Sequence, residues 1–519
     1  MTAGGAPGRH LAPAPVPPAD PGLAELVGML RVRDVRVRAD GDALHYDAPP
    51  EAVTDDLLER IREHKTELLE WLASGAGGPE VESSGPATYF QRRMHAQHSA
   101  SRLPAGLNVA QRIELDGPLD PEVLARAFTA LTARQATLRS RLVRYGPELV
   151  QEVLPVRPVS LPVADLSSAV GATEEAAAEW LVRHTDEPFE LSVAPLWRAA
   201  LLRRGERAWT LALVVHHIVI DGWGLDVLLR DLAAFFAAAR ELPAGRIPTG
   251  AEAGLAPLAA SYPEIGRWQR AHLSGPRLRE LRDHWSTALD GAPLRLNLPT
   301  DRPRPERHSN RGAGFGFEVG PALAADVEAL ARARGTTVFT VMLGVYGSLL
   351  CRLTGQAEVV VACNIANRVR REHEDVVGPF TNNVPLRLGS GGGNCRTAID
   401  AAARTFFAAA SHQDYPMAML VEDLAARGTA PGERFPQALI VMQNQAAPEL
   451  VLPEVDSEVH DVAVDGMRSE LCLILVPEAD RIRCLLRYAR DLFDPGTVER
   501  WAESYVALLK EAVSAGAGD

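Results

Sequence analysis

The 519-residue chain has only five cysteines, no excess of positive charge and no apolar run of membrane-spanning length. No CxxC or CxxH pair occurs, which excludes a zinc-finger or disulfide framework and predicts reduced core thiols and no metal site. A net charge of -13 argues against nucleic acid as a partner. The N-terminus lacks a basic region followed by an apolar core, so we expect a cytoplasmic protein with no membrane partner. The cysteines are Cys351, Cys363, Cys395, Cys472 and Cys484.

Length and a hydrophobic content of 46% predict one large two-lobed domain plus a small one. Residues 1–21 are rich in proline and alanine and are predicted to be disordered. Residues 22–73 form the small unit, and the Gly/Ser-rich residues 74–85 are predicted to be a flexible linker. The small unit is therefore expected to be separable from the rest. Residues 86–519 have a mixed α/β pattern, which we divide into an N-lobe, 86–262, and a C-lobe, 263–519.

The small unit has the element order α-β-β-α-α. Apolar residues from Leu23 onward follow a helical spacing, residues 35–38 alternate as in a strand, Asp40 and Gly41 predict a hairpin turn, and Thr54 caps the next helix.

Four arginines surround the first strand of this unit. Alternation places the side chains of Arg36 and Arg38 on one face, and Arg31 and Arg33 lie close by in sequence. This face is expected to attract an acidic peptide. The alternative is a solvated charged face on an ordinary small domain.

Residues 216–222, His-His-Ile-Val-Ile-Asp-Gly, follow the apolar run 209–215. A strand over residues 211–220 that ends in histidine presents a base to a substrate, because neutral imidazole accepts a proton near neutral pH. A helix is predicted behind it, over residues 225–241. The alternative is a core histidine followed by an ordinary Asp-Gly turn.

This stretch resembles the HHxxxDG signature of the condensation domains of nonribosomal peptide synthetases. Other segments resemble that family's remaining motifs in the same order: residues 89–94 (YFQRRM), 134–139 (RQATLR), 262–269 with Glu264 in place of Asp, 377–383 (VGPFTNN) and 412–416 (HQDYP). Gln135 and Ala136 replace the usual His-Glu, and Met417 and Ala418 replace Phe-Glu. The replaced positions are expected to pack and hydrogen-bond around the lobe interface.

The resemblance implies a chloramphenicol-acetyltransferase-like α/β (α+β) fold, with two lobes in a V around a central tunnel. The implied catalytic group is His216, His217, Asp221 and Gly222, and the implied tunnel residues are Trp223, Asn382 and Asn383. His217 matches the family's catalytic position, whereas strand alternation turns His216 to the opposite face, where a structural role is expected. Asp221 is expected to form a structural ion pair with Arg368, and the Gly222 amide to face the oxyanion.

Residues 22–73 resemble the N-terminal docking domains of the tubulysin type, chiefly in the segments VRVRADGDALHYDAP and REHKTELL. In that family the hairpin receives the C-terminal tail of the preceding synthetase subunit. The resemblance therefore implies that Arg31, Arg33, Arg36 and Arg38 contact such a tail.

The expected function is peptide-bond formation between an upstream carrier-bound acyl or peptidyl thioester and a downstream carrier-bound or free amine. The partners' phosphopantetheine arms would enter as substrate, and the chain itself would bind no cofactor, metal or nucleotide. The alternatives are an acyltransferase of the same fold that uses acyl-CoA or forms an ester, and a non-catalytic recruitment platform. Heterocyclisation and dual epimerisation are disfavoured by the histidines at 216 and 217 and by the absence of a second histidine pair upstream. The substrates remain open.

Overall fold

The fold is taken from a computed structural model, which describes residues 13–101, 103–167, 174–429, 434–444, 448–462 and 466–514. The N-terminal unit has the predicted element order: α1 (Pro21–Val32), β1 (Arg36–Asp40), β2 (Ala43–Asp47), α2 (Asp55–Glu63) and α3 (Lys65–Ala73). The side chains of Asp20 and Thr54 accept the backbone N–H groups of Leu23 and Leu57, which caps α1 and α2. Gly41 has a φ of +56° in the hairpin turn.

The first half of the remaining chain builds a lobe of two sheets. Its elements are β3 (Ser83–Pro86), α4 (Tyr89–Ala100), β4 (Asn108–Asp116), α5 (Pro121–Arg134), β5 (Ser140–Tyr145), β6 (Glu148–Val153), β7 (Val163–Asp165), α6 (Glu174–Thr185), β8 (Trp197–Arg203), β9 (Ala208–His216) and α7 (Gly222–Glu241). Strands β3, β6 and β5 form a three-stranded sheet in that order. Helices α5 and α7 cover one face of the larger sheet, and their apolar residues share its core.

The second half supplies the other lobe. Its elements are α8 (Tyr262–His272), α9 (Gly275–Ala288), β10 (Gly312–Val319), α10 (Pro321–Ala333), α11 (Val338–Thr354), β11 (Glu358–Ile365), β12 (Asn382–Gly389), α12 (Cys395–Ala410), α13 (Met417–Ala426), β13 (Ala438–Met442), β14 (Asp456–Asp461), β15 (Leu471–Pro477), β16 (Ile482–Ala489) and α14 (Pro495–Ser514). Six strands form one sheet in the order β10-β16-β15-β13-β11-β12. Helix α11 is buried along most of its length at the centre of this core.

The predicted boundary at residues 262 and 263 is too simple, because two later segments return to the first lobe. Strand β14 pairs with β4 and extends its sheet to five strands, β14-β4-β9-β8-β7. Val377 also packs in the first core, together with Leu450, Leu452 and Val455. Such pairing joins residues more than 300 positions apart, and no local pattern encodes it.

The predicted linker, residues 74–85, is ordered over its second half. Val81 is buried, the Glu82 N–H donates to the Val153 carbonyl, and β3 pairs with β6. A Cβ on Gly85 would lie 2.7 Å from the Pro263 carbonyl oxygen, so this glycine serves close packing rather than flexibility. Composition alone did not reveal the strand because its partner is distant in sequence.

The predicted N-terminal disorder is also wrong for residues 13–20, while residues 1–12 lie outside the described part. The Val16 N–H donates to the Ala76 carbonyl at 2.7 Å, and the Trp71 indole donates to the Val16 carbonyl at 2.9 Å. Arg141 of the first lobe donates to the Pro13 carbonyl. The extended segment therefore crosses from the small unit to the lobe.

The small unit packs directly on the β5–β6 hairpin. Val143, Tyr145 and Val150 of the hairpin belong to the same hydrophobic cluster as α1, α2 and α3. Beneath them Glu152, which is fully buried, pairs with Arg31 of α1 and with Arg141. The unit is therefore joined to the lobe by shared core, contrary to the expected separability.

All five cysteines are free and buried, and burial raises the pKa of Cys363 to about 12. No group of three or more potential metal ligands occurs among the residues described. In the same part of the chain no single helix is long and apolar enough to cross a membrane, although α10 and α11 meet those criteria jointly with a 103° bend between them.

Candidate active site

The His-His-Ile-Val-Ile-Asp-Gly stretch is a strand end, a turn and a helix start. Strand β9 ends at His216, four residues before the predicted end, because the Val219 N–H turns back to the His216 carbonyl. Asp221 then caps α7, which begins at Gly222 rather than at residue 225. The local chemistry explains the difference, since an aspartate before glycine favours a helix N-cap.

The side chain of His217 is partly exposed, whereas the next three residues are buried. Its Nδ1 lies 2.6 Å from the Ile220 carbonyl oxygen. Because a carbonyl only accepts, Nδ1 must carry the hydrogen, which leaves the Nε2 lone pair available to accept a proton. The Phe90 ring lies beside the imidazole, with 5.3 Å between ring centroids.

The pKa of His217 is lowered chiefly by burial and further by the positive charge of Arg468, while Asp221 and the Ile220 carbonyl oppose the shift. The imidazole is consequently neutral at pH 7, as a general base requires.

His216 points the other way and is fully buried. Its Nδ1 accepts the Ile218 N–H at 3.0 Å, so Nε2 carries the hydrogen and donates to His98 Nδ1 at 3.1 Å. Burial lowers the pKa of His216 well below its ordinary value. Although we grouped it with the catalytic residues, its ring nitrogens are both occupied by structural hydrogen bonds.

Both carboxylate oxygens of Asp221 are also occupied. Oδ1 accepts the Gly224 N–H at 2.7 Å and an Arg368 nitrogen at 3.2 Å. Oδ2 accepts the N–H groups of Phe380 and Thr381 at 2.8 and 3.2 Å. Asp221 therefore clamps the start of α7 to the loop before β12 and is not free to react with a substrate.

Arg368 completes this clamp from the second lobe. It donates to the carbonyls of His373, Val376 and Gly378, and its guanidinium lies 4.1 Å from the Phe380 ring centroid. Burial lowers the pKa of Arg368, and Asp221 opposes that shift. The loop 376–381, which we call the floor loop, is thus held at almost every residue.

The remaining predicted site residues lie around this loop. Gly222 is exposed at the first position of α7, and the Trp223 indole donates to the Glu374 carbonyl at 3.0 Å. Asn382 donates to the carbonyls of Gln413 and Tyr415. Asn383 accepts a hydrogen bond from Asn364, and it does not line the cavity between the lobes.

A cavity that is open to solvent lies between the lobes, with room of about 40 Å³ for the centre of a water-sized molecule. Phe90 lines this cavity, and its ring lies next to His217, which is not itself a lining residue. Aromatic and polar side chains from both lobes line it, among them Tyr262, Trp268, His373, Phe380 and Asn382.

Gln135, which departs from the family motif, bridges the lobes. Its amide nitrogen donates to Asp231 and to the Asp375 carbonyl, and its oxygen accepts the Val377 N–H. The amide thus donates to the residue before the floor loop and accepts from within the loop, as the expected interface role requires.

Sequence reasoning missed Arg468 as a functional candidate. It precedes β15 and lies outside every recognised motif, and only the fold brings its positive charge to bear on the pKa of His217. Arg93 lies within a quoted motif, but nothing in the motif indicates that it lines the cavity.

The four arginines of the small unit are not equivalent. Arg31 points into the first lobe, where it pairs with Glu152, so it is not available to a tail. Arg33 donates to Thr54, and Arg36 to Asp47 and to the Glu82 carbonyl. Arg38 is exposed. Of the four predicted docking residues, Arg33, Arg36 and Arg38 thus reach the surface, whereas Arg31 is held by Glu152.

Comparison with known families gives two matches along the chain. Residues 81–518 match the Condensation domain family, and residues 23–73 match the TubC N-terminal docking domain family.

Curated relatives include phosphinothricin tripeptide synthetase PhsC of Streptomyces viridochromogenes, which is 32% identical over 445 residues, covering 85% of this chain and 40% of that protein. Malpinin synthetase of Mortierella alpina is 30% identical over 425 residues, covering 82% of this chain and 5% of that protein. The chain thus spans less than half the length of these relatives.

Solved structures show the same fold. The X-domain from teicoplanin biosynthesis has a TM-score of 0.74 at 24% identity, with 83% of this chain and 95% of that chain covered. The EpoB cyclization-docking bidomain from Sorangium cellulosum has a TM-score of 0.66 at 20% identity, with 94% and 98% covered.

Proposed function

The chain belongs to the condensation-domain family of nonribosomal peptide synthetases, and we propose that it joins an upstream acyl or peptidyl thioester to an amine. The observation that carries the proposal is the His217 imidazole, whose tautomer leaves Nε2 as an acceptor beside a cavity between the lobes.

In the proposed reaction the amine nitrogen attacks the thioester carbon, and the carbonyl π electrons move to oxygen. His217 Nε2 takes the proton from the resulting ammonium. The carbonyl then re-forms, the C–S bond breaks, and the leaving thiolate receives that proton. The products are an amide and a thiol, so His217 ends neutral.

The start of α7 supports the oxyanion in this scheme. The first-turn N–H groups of a helix have no intrahelical partner, and the helix end carries partial positive charge. Gly222 is exposed there and carries no side chain, so an oxyanion can approach its amide. The Asp221 clamp fixes this helix end relative to the floor loop.

The thioesters would arrive on the phosphopantetheine arms of donor and acceptor carrier proteins, which enter as substrate. The N-terminal unit would receive the C-terminal tail of an upstream subunit on the hairpin face that carries Arg36 and Arg38. The match of residues 23–73 to a docking family supports this arrangement over an acyltransferase that uses diffusible acyl-CoA. A docking unit adds effective concentration only for a tethered substrate.

A recruitment platform is the second candidate function, because one similar structure is a complex of an X-domain with OxyB. The complete hydrogen-bonding of Asp221 and the free Nε2 of His217 favour catalysis.

The test is amide formation from carrier-loaded substrates by His217→Ala, with the partly exposed His460→Ala as control. We expect His217→Ala to lose on the order of 10²-fold in rate, the scale of general acid–base catalysis, with carrier binding and melting temperature unchanged. His460→Ala should retain the wild-type rate. Wild-type turnover by His217→Ala would contradict the assignment, and carrier binding without turnover by the wild type would favour the platform.

A further inference from the structure

Helix α4 presents one face to the catalytic histidine. Phe90, Arg93, Met94 and Gln97 follow the three-to-four-residue spacing of a single helix face. Phe90 contacts His217, Arg93 lines the cavity, and an Arg468 guanidinium nitrogen lies 2.8 Å from Gln97 Oε1 and 3.5 Å from Met94 Sδ. Two guanidinium groups from different lobes therefore flank the space next to His217.

Arg93 lines the cavity between the lobes and is partly exposed, and Arg468 is exposed to solvent. Burial and the nearby Arg93 nevertheless lower the pKa of Arg468 to about 9, and burial lowers that of Arg93 to about 10. Both groups stay charged at neutral pH.

Within the ranges that the structure describes, neither guanidinium forms an ion pair with a carboxylate, and the contacts of Arg468 are with Gln97 and Met94. Asp414, the carboxylate that lines the cavity, is already paired with Arg277 and His272. Asp465 lies outside the described residues, and the variant Asp465→Asn tests whether its carboxylate is the counter-ion of the two arginines. Two like charges held close to each other are unfavourable without a counter-ion, and an anion between them would offset that cost.

We propose that Arg93 and Arg468 form a binding site for a carboxylate that the substrate carries close to its reacting carbon. The inference rests on the proposed function, since it assigns a substrate class to the same site. Planar guanidinium groups match a carboxylate with paired, charge-assisted hydrogen bonds.

The position next to His217 favours a substrate carboxylate over the phosphate of the prosthetic arm. The pantetheine chain separates that phosphate from the sulfur, so a thioester at His217 leaves the phosphate near the tunnel mouth. Arg468 contacts Met94 and Gln97 on the face of α4 whose Phe90 lies beside His217, which places it on the side of the reacting carbon.

The test compares two probes by calorimetric titration: a pantetheine amide of succinate with a free terminal carboxylate, and its counterpart with a terminal carboxamide. The wild type should bind the carboxylate probe at least about tenfold more tightly. Arg93→Gln and Arg468→Gln should each lose that preference, and Arg468→Lys should retain part of it. Arg92→Gln is the matched control, because Arg92 lies on the same helix and is exposed.

A free amino acid is titrated in parallel to identify which substrate carries the carboxylate. If neither pantetheine probe is preferred but the amino acid binds, the carboxylate belongs to an untethered acceptor, and the proposal is still supported. Equal binding of both probes and no binding of the amino acid would overturn it, as would inorganic phosphate binding as tightly as the carboxylate probe. A preference that appears only in Asp465→Asn would show that Asp465 already occupies the site, which also overturns it. Binding needs no turnover, so a chain that binds the carboxylate but forms no amide would refute the proposed function alone.

Discussion

Two buried carboxylates join the parts of this chain, and they do so differently. Glu152 lies where the docking unit meets the first lobe, and Asp221 lies where the first lobe meets the second. Both are fully buried and paired with arginine. Glu152 is bonded by side chains alone, from Arg31, Arg141 and Tyr145. Asp221 is bonded mostly by backbone N–H groups.

The two carboxylates therefore have different roles, since one attaches a unit and the other positions a loop. Side-chain partners hold two surfaces together but leave each backbone supported by its own sheet, whereas backbone partners set the path of a loop. Glu152 therefore belongs to an interface that keeps the docking unit in place, and Asp221 sets the geometry of α7 and the floor loop around His217.

The largest effect is expected from Asp221→Ala. It strands the buried Arg368 and removes acceptors for three backbone N–H groups, so the free energy of unfolding should fall by about 3–5 kcal/mol and condensation should be lost. Denaturant unfolding and the rate with loaded carriers measure both. Asp226→Asn on the same helix is the control: burial and the charge of Asp221 raise the pKa of Asp226 to about 6, so a neutral side chain is tolerated there. An unchanged unfolding free energy in Asp221→Ala would refute the clamp.

Glu152→Gln should lower the free energy of unfolding by about 3 kcal/mol, because Arg31 and Arg141 lose their buried partner. In contrast to Asp221→Ala, the rate of the remaining folded enzyme on substrates at high concentration should be unchanged. Glu148→Gln on the same strand, whose partner Arg270 is partly exposed, is the control. A matching loss of rate would mean that the two carboxylates do not differ in role.

Deleting residues 1–73 tests the same interface as a whole. It exposes Val143, Tyr145 and Val150 to water and leaves Glu152 without Arg31. The truncated chain should melt at a lower temperature and be more prone to aggregate than the full chain. An unchanged melting temperature would support the sequence-based prediction that the small unit is separable from the lobes.

A smaller effect is expected at the docking face. Arg38→Glu should weaken binding of an acidic upstream tail peptide severalfold at low salt, and added salt should weaken binding to the wild type, because exposed ion pairs are weak and screened. Arg62→Glu on α2, which is also exposed, should change binding less. Titration calorimetry with the full chain measures this, and equal effects of the two variants would refute a specific role of the hairpin.

The smallest effect concerns pH. His217 acts in its neutral form and its pKa is lowered, so the rate should fall only as the pH drops below the ordinary histidine range. Arg468→Gln removes a positive charge that favours the neutral form, so the acid limb of the pH–rate profile should move to higher pH. A shift to lower pH would contradict the assigned direction.

Much of the candidate site could be predicted from the sequence because motif residues keep their spacing. The residues that cap, turn and start a helix are adjacent, so His217, Asp221 and Gly222 could be placed from local chemistry. The strand was drawn four residues too long, since apolar periodicity continues through Ile218, Val219 and Ile220 although the backbone has already turned.

By itself, the sequence determined the family, the two-unit organisation and the element order of the docking unit. Each depends on residues that are close together in the chain and interact through caps, turns and helical or strand periodicity. Tertiary structure alone decided that the linker is partly a strand, that β14 joins the first lobe and that Arg31 is not free. It also placed Arg468 against the face of α4 whose Phe90 lies beside His217. These features depend on contacts between distant segments, whose free energy comes from burial and pairing that no local pattern records.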